Sequence, residues 1–371
     1  MAKQKEVNSK RLLALTAVLV IFAAAAILIV NSDENLISGF AVSEPASENQ
    51  DYSPEYSPDY DPNSNIQAGM FDNSIPNTPA SILVYPYYTS DASNIGAKDT
   101  RISITNINKN EAVIVHFFFV NGAENSPRTC TVTDLKQPLT PGQTYSILVS
   151  DFDSGETGYI IAVAEDDLGC PISFNYLIGS ANFKNSQGSQ GEYNAFGFKS
   201  YLTQGTTHDN CVDNSITPTA NLNFNGVEYE QAPNMLYAPG LFNSSSISGE
   251  NSQIVFAALK GSLLTGMDNS ATYSALIYDQ NEQVRSQSLP VWGCFESVAQ
   301  TTLNPLLPTT GPAWIKLTAA NNVPGVGLYM HYNSGTNTNA FTGADQLYGV
   351  CTTGGCINTS MTMPVFPLTG N

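Results

Sequence analysis

Hydrophobic and polar residues are arranged differently in successive parts of this 371-residue chain. One uninterrupted apolar run, from Leu12 to Val30, lies near the beginning, and a long polar stretch follows it. From residue 80 onward, short apolar, β-branched or aromatic segments alternate with turn-forming residues. The pattern predicts a membrane-spanning segment, a linker and a region built of β-strands.

The segments after residue 80 predict an all-β fold, because no stretch after Val30 shows convincing helical periodicity. Seven short strands within about a hundred residues, separated by Asn-Gly, Pro-Gly and Ser-Gly pairs, are typical of an Ig-like sandwich. The predicted strands are residues 81–88, 100–107, 112–120, 129–135, 143–150, 159–165 and 171–178. In the last of these, Ile172, Phe174 and Tyr176 are expected to share one face.

A second block of the chain resembles the first. The segment that begins at Ile82 aligns loosely with the segment that begins at Met235, and the alignment places Cys130 opposite Cys294. We therefore expect two tandem Ig-like antiparallel β-sandwiches. The alternative is one larger domain of two sheets.

The predicted boundaries follow from these blocks. The first sandwich covers residues 80–205, a connecting segment covers 206–230, and the second sandwich covers 231–371. Residues 193–202 are expected to add a strand to the first sandwich, since they are the most apolar part of an otherwise polar stretch.

The phrases ILVYPYY, RISITN, VHFFFVNG and PISFNYLIG, all within residues 80–200, resemble secreted prokaryotic β-sandwich proteins of uncharacterised function. The resemblance implies secretion and an Ig-like sandwich. It implies no activity, because these phrases are packing segments and carry no catalytic motif.

The N-terminal segment predicts the location of the protein. Four basic residues within the first eleven precede the apolar run of 19 residues, which spans roughly 28 Å as a helix. Because basic residues stay on the cytoplasmic side, residues 1–11 are expected inside the cell and everything after Val30 outside. The segment from Leu12 to Val30 is read as an uncleaved anchor; a cleaved signal peptide and a buried core helix are the alternatives.

Residues 31–79 are predicted to be a linker, because they contain nine acidic residues, no basic residue and no run able to build a core. The repeat DYSPEYSPDYDP, residues 51–62, is interpreted as an extended spacer. The alternative is a binding epitope built on Tyr52, Tyr56 and Tyr60. The net charge of the whole chain is -18, which argues against a nucleic-acid partner.

The six cysteines indicate disulfides, since an exported chain enters an oxidising compartment. We expect Cys130 to pair with Cys170, because they are the only two cysteines in the first predicted sandwich. The spacing of Cys351 and Cys356, with two glycines between them, favours a local bridge.

These two bridges would leave Cys211 to pair with Cys294. In the alternative, Cys294 pairs with one of the two C-terminal cysteines. A zinc site at Cys351 and Cys356 is a further alternative, although it requires two more ligands.

Candidate chemistry is sparse. Asp151, Asp153 and Glu156 surround Gly155 and form a weak calcium candidate, with solvated turns as the simpler interpretation. Asn243 and Asn358 begin N-glycosylation patterns. Trp292 and Trp314 are interpreted as core residues, although exposed indoles could stack on sugars.

The sequence therefore predicts a membrane-anchored, surface-displayed structural or adhesive protein that binds another extracellular component, a surface protein or a glycan. The competing class is an extracytoplasmic carbohydrate-binding module or glycan-active hydrolase. No catalytic motif is present, so we expect no enzymatic activity and no cofactor other than the weak calcium candidate.

Overall fold

The structure is a computed structural model that describes residues 78–368 with short gaps. The gaps are residues 92, 95, 97, 123–129, 185–189, 209–210, 212–217, 244–249, 266–270, 292–293, 299, 304, 320–322, 334–339 and 352–354. The predicted anchor, nearly all of the predicted linker, and Trp292 lie outside the described residues. Among the helices of the described part, none has the length and apolar character needed to cross a membrane.

The described residues form an all-β structure, as the sequence predicts. The strands up to residue 198 are β1 (Ile82–Thr89), β2 (Asp99–Asn106), β3 (Val113–Asn121), β4 (Val132–Leu139), β5 (Thr144–Leu148), β6 (Thr157–Glu165), β7 (Leu177–Lys184), β8 (Gln190–Asn194) and β9 (Phe196–Phe198). A short 3-10 turn, Val149–Asp151, follows β5.

The strands after residue 198 are β10 (Thr219–Phe224), β11 (Met235–Leu241), β12 (Glu250–Ala258), β13 (Gly261–Ser262), β14 (Ala271–Asp279), β15 (Val284–Val291), β16 (Phe295–Val298), β17 (Ala313–Ala319), β18 (Gly325–Asn333), β19 (Ala340–Gln346), β20 (Tyr348–Val350) and β21 (Thr359–Pro364). One four-residue helix, α1 (Gln300–Leu303), follows β16.

Four antiparallel sheets make up most of the described structure, and we number them by their packing. Sheet 1 has the strand order β5-β2-β7-β8, sheet 2 has β4-β3-β6-β1-β9, sheet 3 has β16-β12-β18-β19, and sheet 4 has β15-β14-β17-β11-β20. The five-stranded sheets 2 and 4 have the same order of equivalent strands, and so do the four-stranded sheets 1 and 3. The repeat visible in the sequence is therefore a repeat of strand topology.

Sheet 2 lies between sheets 1 and 3. The Tyr85 hydroxyl donates to the carbonyl of Ser103 in sheet 1 at 2.9 Å. Tyr159 points from the opposite face of sheet 2 and donates to the carbonyl of Ala258 in sheet 3 at 3.2 Å. Because both faces are covered, all nine residues of β3 are buried, and a strand covered in this way needs apolar side chains on both faces.

Sheet 3 is likewise covered on both sides. Val255 and Ala257 of β12 belong to the core shared with sheet 2, whereas the alternating residues Ile254 and Phe256 belong to the core shared with sheet 4. The described residues cover sheet 4 on one face only. Its strand β17 alternates between buried residues such as Ile315 and more accessible ones such as Trp314.

A small sheet, β10-β21-β13, joins the two halves of the chain. Its central strand, β21, pairs with β10, which lies within the predicted connecting segment. Leu222 of β10 and Met361 of β21 are fully buried in the same core as sheet 2. Residues between the two blocks therefore contribute to the core and do not only connect it.

The strands in the structure differ from the predicted strands in two details. The run 171–178 is not one strand: Asn175 and Tyr176 form a turn, and β7 begins at Leu177. The Ser81 hydroxyl stabilises this break, since it accepts from the backbone of Phe174 at 2.8 Å. Residues 193–202, predicted to contain one added strand, contribute the end of β8 and all of β9, which pair with β7 and β1.

The disulfides correct the predicted pairing. Cys130 is bonded to Cys294 and Cys170 to Cys211, with Cα–Cα distances of 6.2 and 5.8 Å. The predicted Cys130–Cys170 and Cys211–Cys294 pairs are therefore wrong. That prediction assumed that each sandwich closes its own bridge, but the packing of sheet 2 on sheet 3 brings Cys130, just before β4, next to Cys294, just before β16.

The other two bridges have local causes. The chain after residue 205 returns beside Pro171, where the His208 amide donates to the Pro171 carbonyl at 3.1 Å, and this return places Cys211 near Cys170. Cys351 and Cys356 form the third disulfide, the local pair that their spacing favours, with a Cα–Cα distance of 4.6 Å.

Candidate functional site

The solvent-facing side of sheet 4 carries a row of aromatic side chains on four neighbouring strands. Tyr278 lies on β14, Trp314 on β17, Tyr237 on β11 and Tyr348 on β20, in the order in which these strands pair. We call these four residues the aromatic row. They share a face because each alternates along its strand with residues of the buried core, such as Ile315 beside Trp314.

The aromatic row is partly stacked and partly open to solvent. The rings of Tyr278 and Trp314 lie 4.0 Å apart and are nearly parallel, at 6°. Tyr237 lies 6.3 Å from Trp314 with a tilt of 32°. Trp314 is 39% exposed and Tyr348 is 48% exposed. The prediction that Trp314 belongs to the core is therefore wrong: alternation along β17 turns it away from the core.

Polar and apolar side chains share the outward face with the aromatic row. Lys316 pairs with Tyr237 across the strands, and Ser274, Ser286 and Ser288 occupy outward positions on β14 and β15, whereas apolar Val284 lies directly opposite Tyr278. The flat rings offer dispersion contacts to an apolar ligand face, and the nearby hydroxyls offer hydrogen bonds. Among the described strands of sheet 4, the outward positions hold no carboxylate.

A second polar feature is buried in sheet 2. His116 of β3 contacts Glu165 of β6 (Nδ1 to Oε1, 2.6 Å) and Asp134 of β4 (Nε2 to Oδ2, 2.9 Å). Lys136 of β4 reaches the other oxygen of Glu165 (Nζ to Oε2, 2.6 Å). We call these four residues the ionic cluster. All of them lie on the face of sheet 2 that is turned towards sheet 3, where the register aligns His116 with Lys136 and Phe118 with Asp134.

The C-terminal segment covers the ionic cluster. The Lys136 ammonium donates to the carbonyl of Phe366 at 2.6 Å and lies 4.2 Å from the centre of its ring. A side chain at Gly169 would collide with both groups, since a Cβ there would lie 2.2 Å from the Phe366 oxygen and 2.8 Å from the Lys136 nitrogen. Three side chains of the cluster are shielded, and only Asp134 is appreciably exposed, at 41%.

The hydrogen bond from His116 lowers the pKa of the Asp134 carboxyl from its ordinary value, and the charge of His116 adds to the effect. Nearby, burial raises the pKa of Tyr229 well above its ordinary value, and the charges of Glu228 and Glu165 act in the same direction. Glu165 of the ionic cluster therefore also influences Tyr229, which is fully buried.

The weak calcium candidate is not assembled. Asp151 is exposed in the turn after β5, whereas Asp153 is buried and accepts a hydrogen bond from the Tyr88 hydroxyl. Burial raises the pKa of Asp153, which favours its uncharged form and works against cation binding. Among the described residues, no group of three or more His, Cys, Asp or Glu side chains is arranged to hold a metal ion.

The two glycosylation candidates have different environments. Asn243 is 6% exposed, and its side-chain amide donates to the Leu307 carbonyl at 3.2 Å. This burial contradicts its prediction as an acceptor, because the modified nitrogen faces the interior. Asn358 is exposed, and its role as a glycosylation acceptor stays a prediction from the sequence.

Sequence reasoning missed the ionic cluster, although a signal was present. A histidine within the apolar run of β3 must find polar partners once it is buried. The partners, Asp134, Lys136 and Glu165, are separated from it by 18 to 49 residues along the chain, and only the strand register brings them together.

Comparison with known proteins adds no assignment. No protein-family model matches the chain, and no curated protein matches it.

Proposed function

We propose that this is a membrane-anchored, surface-displayed structural or adhesive protein that binds another extracellular component. In this proposal, Leu12 to Val30 forms a single-pass anchor in the cell membrane, residues 31–79 are the spacer, and two tandem Ig-like sandwiches stand outside the cytoplasm. The equal strand order of the two halves and three disulfides support the sandwich and export parts of the proposal.

The aromatic row on sheet 4 is the observation that carries the binding role. Four aromatic residues across four strands cover roughly 14 Å at the usual strand spacing, a length that suits an extended ligand. The row is open to solvent, and Lys316 and serine hydroxyls on the same face supply polar groups near it. These properties suit an extracellular glycan, whose apolar C–H faces stack on flat rings while its hydroxyls bind the border.

The absence of carboxylates on the outward positions of the described strands of sheet 4 favours binding over hydrolysis, because glycoside hydrolysis uses a pair of carboxyl groups beside the bound sugar. We therefore propose a glycan as the ligand. No observation favours the alternative that the protein hydrolyses glycans.

The test is binding of the full chain, purified in detergent, to an array of surface glycans. We expect one glycan class to bind, and we expect Trp314→Ala to abolish that binding while Trp314→Phe keeps part of it. Tyr176→Ala is the matched control, since Tyr176 is an aromatic residue 37% exposed outside sheet 4. Binding that survives Trp314→Ala, or that is absent from all glycans, would contradict the assignment of this face.

A further inference from the structure

We propose that Lys136 and Glu165 become joined by an intramolecular amide bond between Nζ of the lysine and Cδ of the glutamate. The proposal rests on the ionic cluster alone and is independent of the glycan-binding role. It identifies a modification site at which the chain would crosslink strand β4, at the edge of sheet 2, to strand β6 across β3.

The two groups that would react are in contact and shielded from solvent. Nζ of Lys136 lies 2.6 Å from Oε2 of Glu165, and the two side chains are 6% and 0% exposed. This oxygen accepts no hydrogen bond from any described group, including the ammonium beside it. The amine is thus close to the carboxyl group but is not aligned as a hydrogen-bond donor to that oxygen.

Condensation uses an amine and a carboxylic acid, the uncharged forms of the two groups. A buried ion pair loses the hydration of two charges, which reduces the free energy that separates it from this neutral pair. Transfer of one proton from Lys136 to Glu165 gives an amine and a carboxylic acid and removes both charges. The neutral amine is the nucleophile for the carboxyl carbon.

His116 is placed to act as proton donor. Its Nδ1 contacts Oε1 of Glu165 at 2.6 Å, and its Nε2 contacts Asp134 at 2.9 Å. An imidazolium donates from both ring nitrogens, and each ring nitrogen of His116 faces a carboxylate oxygen that can accept. His116 is therefore a catalytic residue in this reaction, since it touches the oxygen that leaves, and Asp134 is a positioning residue.

The step is balanced without an external reagent. The amine of Lys136 attacks Cδ of Glu165, whose Oε2 carries the proton transferred from the lysine, and the N–C bond forms. Oε1 takes one proton from His116 and a second from the attacking nitrogen, and the C–Oε1 bond breaks with release of water. The proton on Oε2 then returns to His116 and leaves the amide carbonyl. Overall, the ammonium and the carboxylate become an amide and one water molecule, and no atom is oxidised or reduced.

The test is the intact mass of the full chain after reduction of its disulfides and denaturation. We expect a mass lower than that of the sequence by one water molecule. Trypsin should fail to cleave after Lys136, and fragmentation should identify a branched peptide that contains both residues. A full sequence mass in the wild-type protein, or a loss of water that maps to another site, would overturn the proposal.

Three variants sharpen this result. Lys136→Arg keeps the charge but has no primary amine, so we expect the full mass. Glu165→Gln should yield the same branched peptide, because ammonia replaces water as the leaving group. Lys184→Arg is the control, since Lys184 donates to the Gly96 carbonyl at 2.7 Å and contacts no carboxyl group among the described residues, and it should leave the water loss unchanged.

Discussion

Sheets 2 and 4 have the same strand order but different surroundings, and the difference determines what each sheet carries. Sheet 2 is covered on both faces, so its inner strand β3 is buried at every position. Sheet 4 is covered on one face, so β17 alternates between buried and accessible positions. The same topology therefore gives an interior sheet with buried charges in one half and an outer sheet with exposed rings in the other.

The comparison explains the chemistry of each candidate site. In sheet 2, His116, Lys136 and Glu165 are shielded from solvent, so the partners of these polar groups come from one another, although Oε2 of Glu165 contacts Lys136 without accepting a hydrogen bond. The outward face of sheet 4 has no such requirement. Its aromatic row keeps open surface that no other described residue covers.

The largest effect on the free energy of unfolding is expected from removing the Cys130–Cys294 disulfide, which links the start of β4 in sheet 2 to the start of β16 in sheet 3. The Cys130–Cys294 bridge closes a separation of 164 residues, for which the chain-entropy model gives roughly 5 kcal/mol. For the Cys351–Cys356 bridge, with a separation of 5, the same model gives roughly 2 kcal/mol. Denaturant unfolding of the two double Cys→Ala variants measures both values, and equal losses would contradict the dependence on loop length.

The next largest effect on the free energy of unfolding is expected from truncating a buried apolar residue, and an exposed apolar residue serves for comparison. Phe117 on β3 is fully buried, and Phe117→Ala should lower the free energy of unfolding by about 3–5 kcal/mol through lost burial and a cavity. Val284 on β15 is 55% exposed, and Val284→Ala should change it by no more than about 0.5 kcal/mol. Equal losses in thermal or denaturant unfolding would show that sheet 2 is not the interior sheet.

Much of the strand pattern follows from the sequence, because burial leaves a direct trace in it. The uniform apolar run at residues 112–120 predicts a strand covered on both faces, and β3 occupies 113–121. The segment AWIKLTA alternates, so it also held the information that Trp314 faces away from Ile315 and Leu317.

The long-range pairings could not be predicted in the same way. The packing of one sheet on another depends on surfaces formed by strands that are distant in the sequence. A prediction based on domain boundaries therefore could not identify Cys294 as the partner of Cys130. The ionic cluster depends on the register of three strands, and a shift of one residue would turn Lys136 to the other face. Sequence indicates that His116 needs partners but does not identify them.

A smaller effect on stability is expected on the outer sheet. Trp314→Ala removes the stacking on Tyr278, and such aromatic pairs contribute about 0.5–1.5 kcal/mol beyond their buried area. The loss in denaturant unfolding should therefore be well below that of Phe117→Ala. A loss as large as that of Phe117→Ala would mean that Trp314 supports the core and is not primarily a surface residue.

The smallest effect concerns pH and the one exposed member of the ionic cluster. The pKa of Asp134 is lower in the folded protein than its ordinary value of about 4, chiefly because of the hydrogen bond with His116. A carboxyl group of this kind stabilises the fold above its unfolded-state pKa, and this contribution is lost as the pH falls from about 4 through the lower folded-state value.

Asp134→Asn should therefore weaken the loss of stability on acidification below about pH 4, as followed by thermal unfolding at a series of pH values. Asp153 supplies the opposite control. Burial raises its pKa, so its contribution is present below the unfolded-state value and is lost as the pH rises through the folded-state value. Asp153→Asn should therefore weaken the loss of stability that accompanies a rise in pH above about 4. If Asp134→Asn leaves the acid limb of the wild-type curve unchanged, the bond between Asp134 and His116 has no part in the electrostatics of the interior sheet.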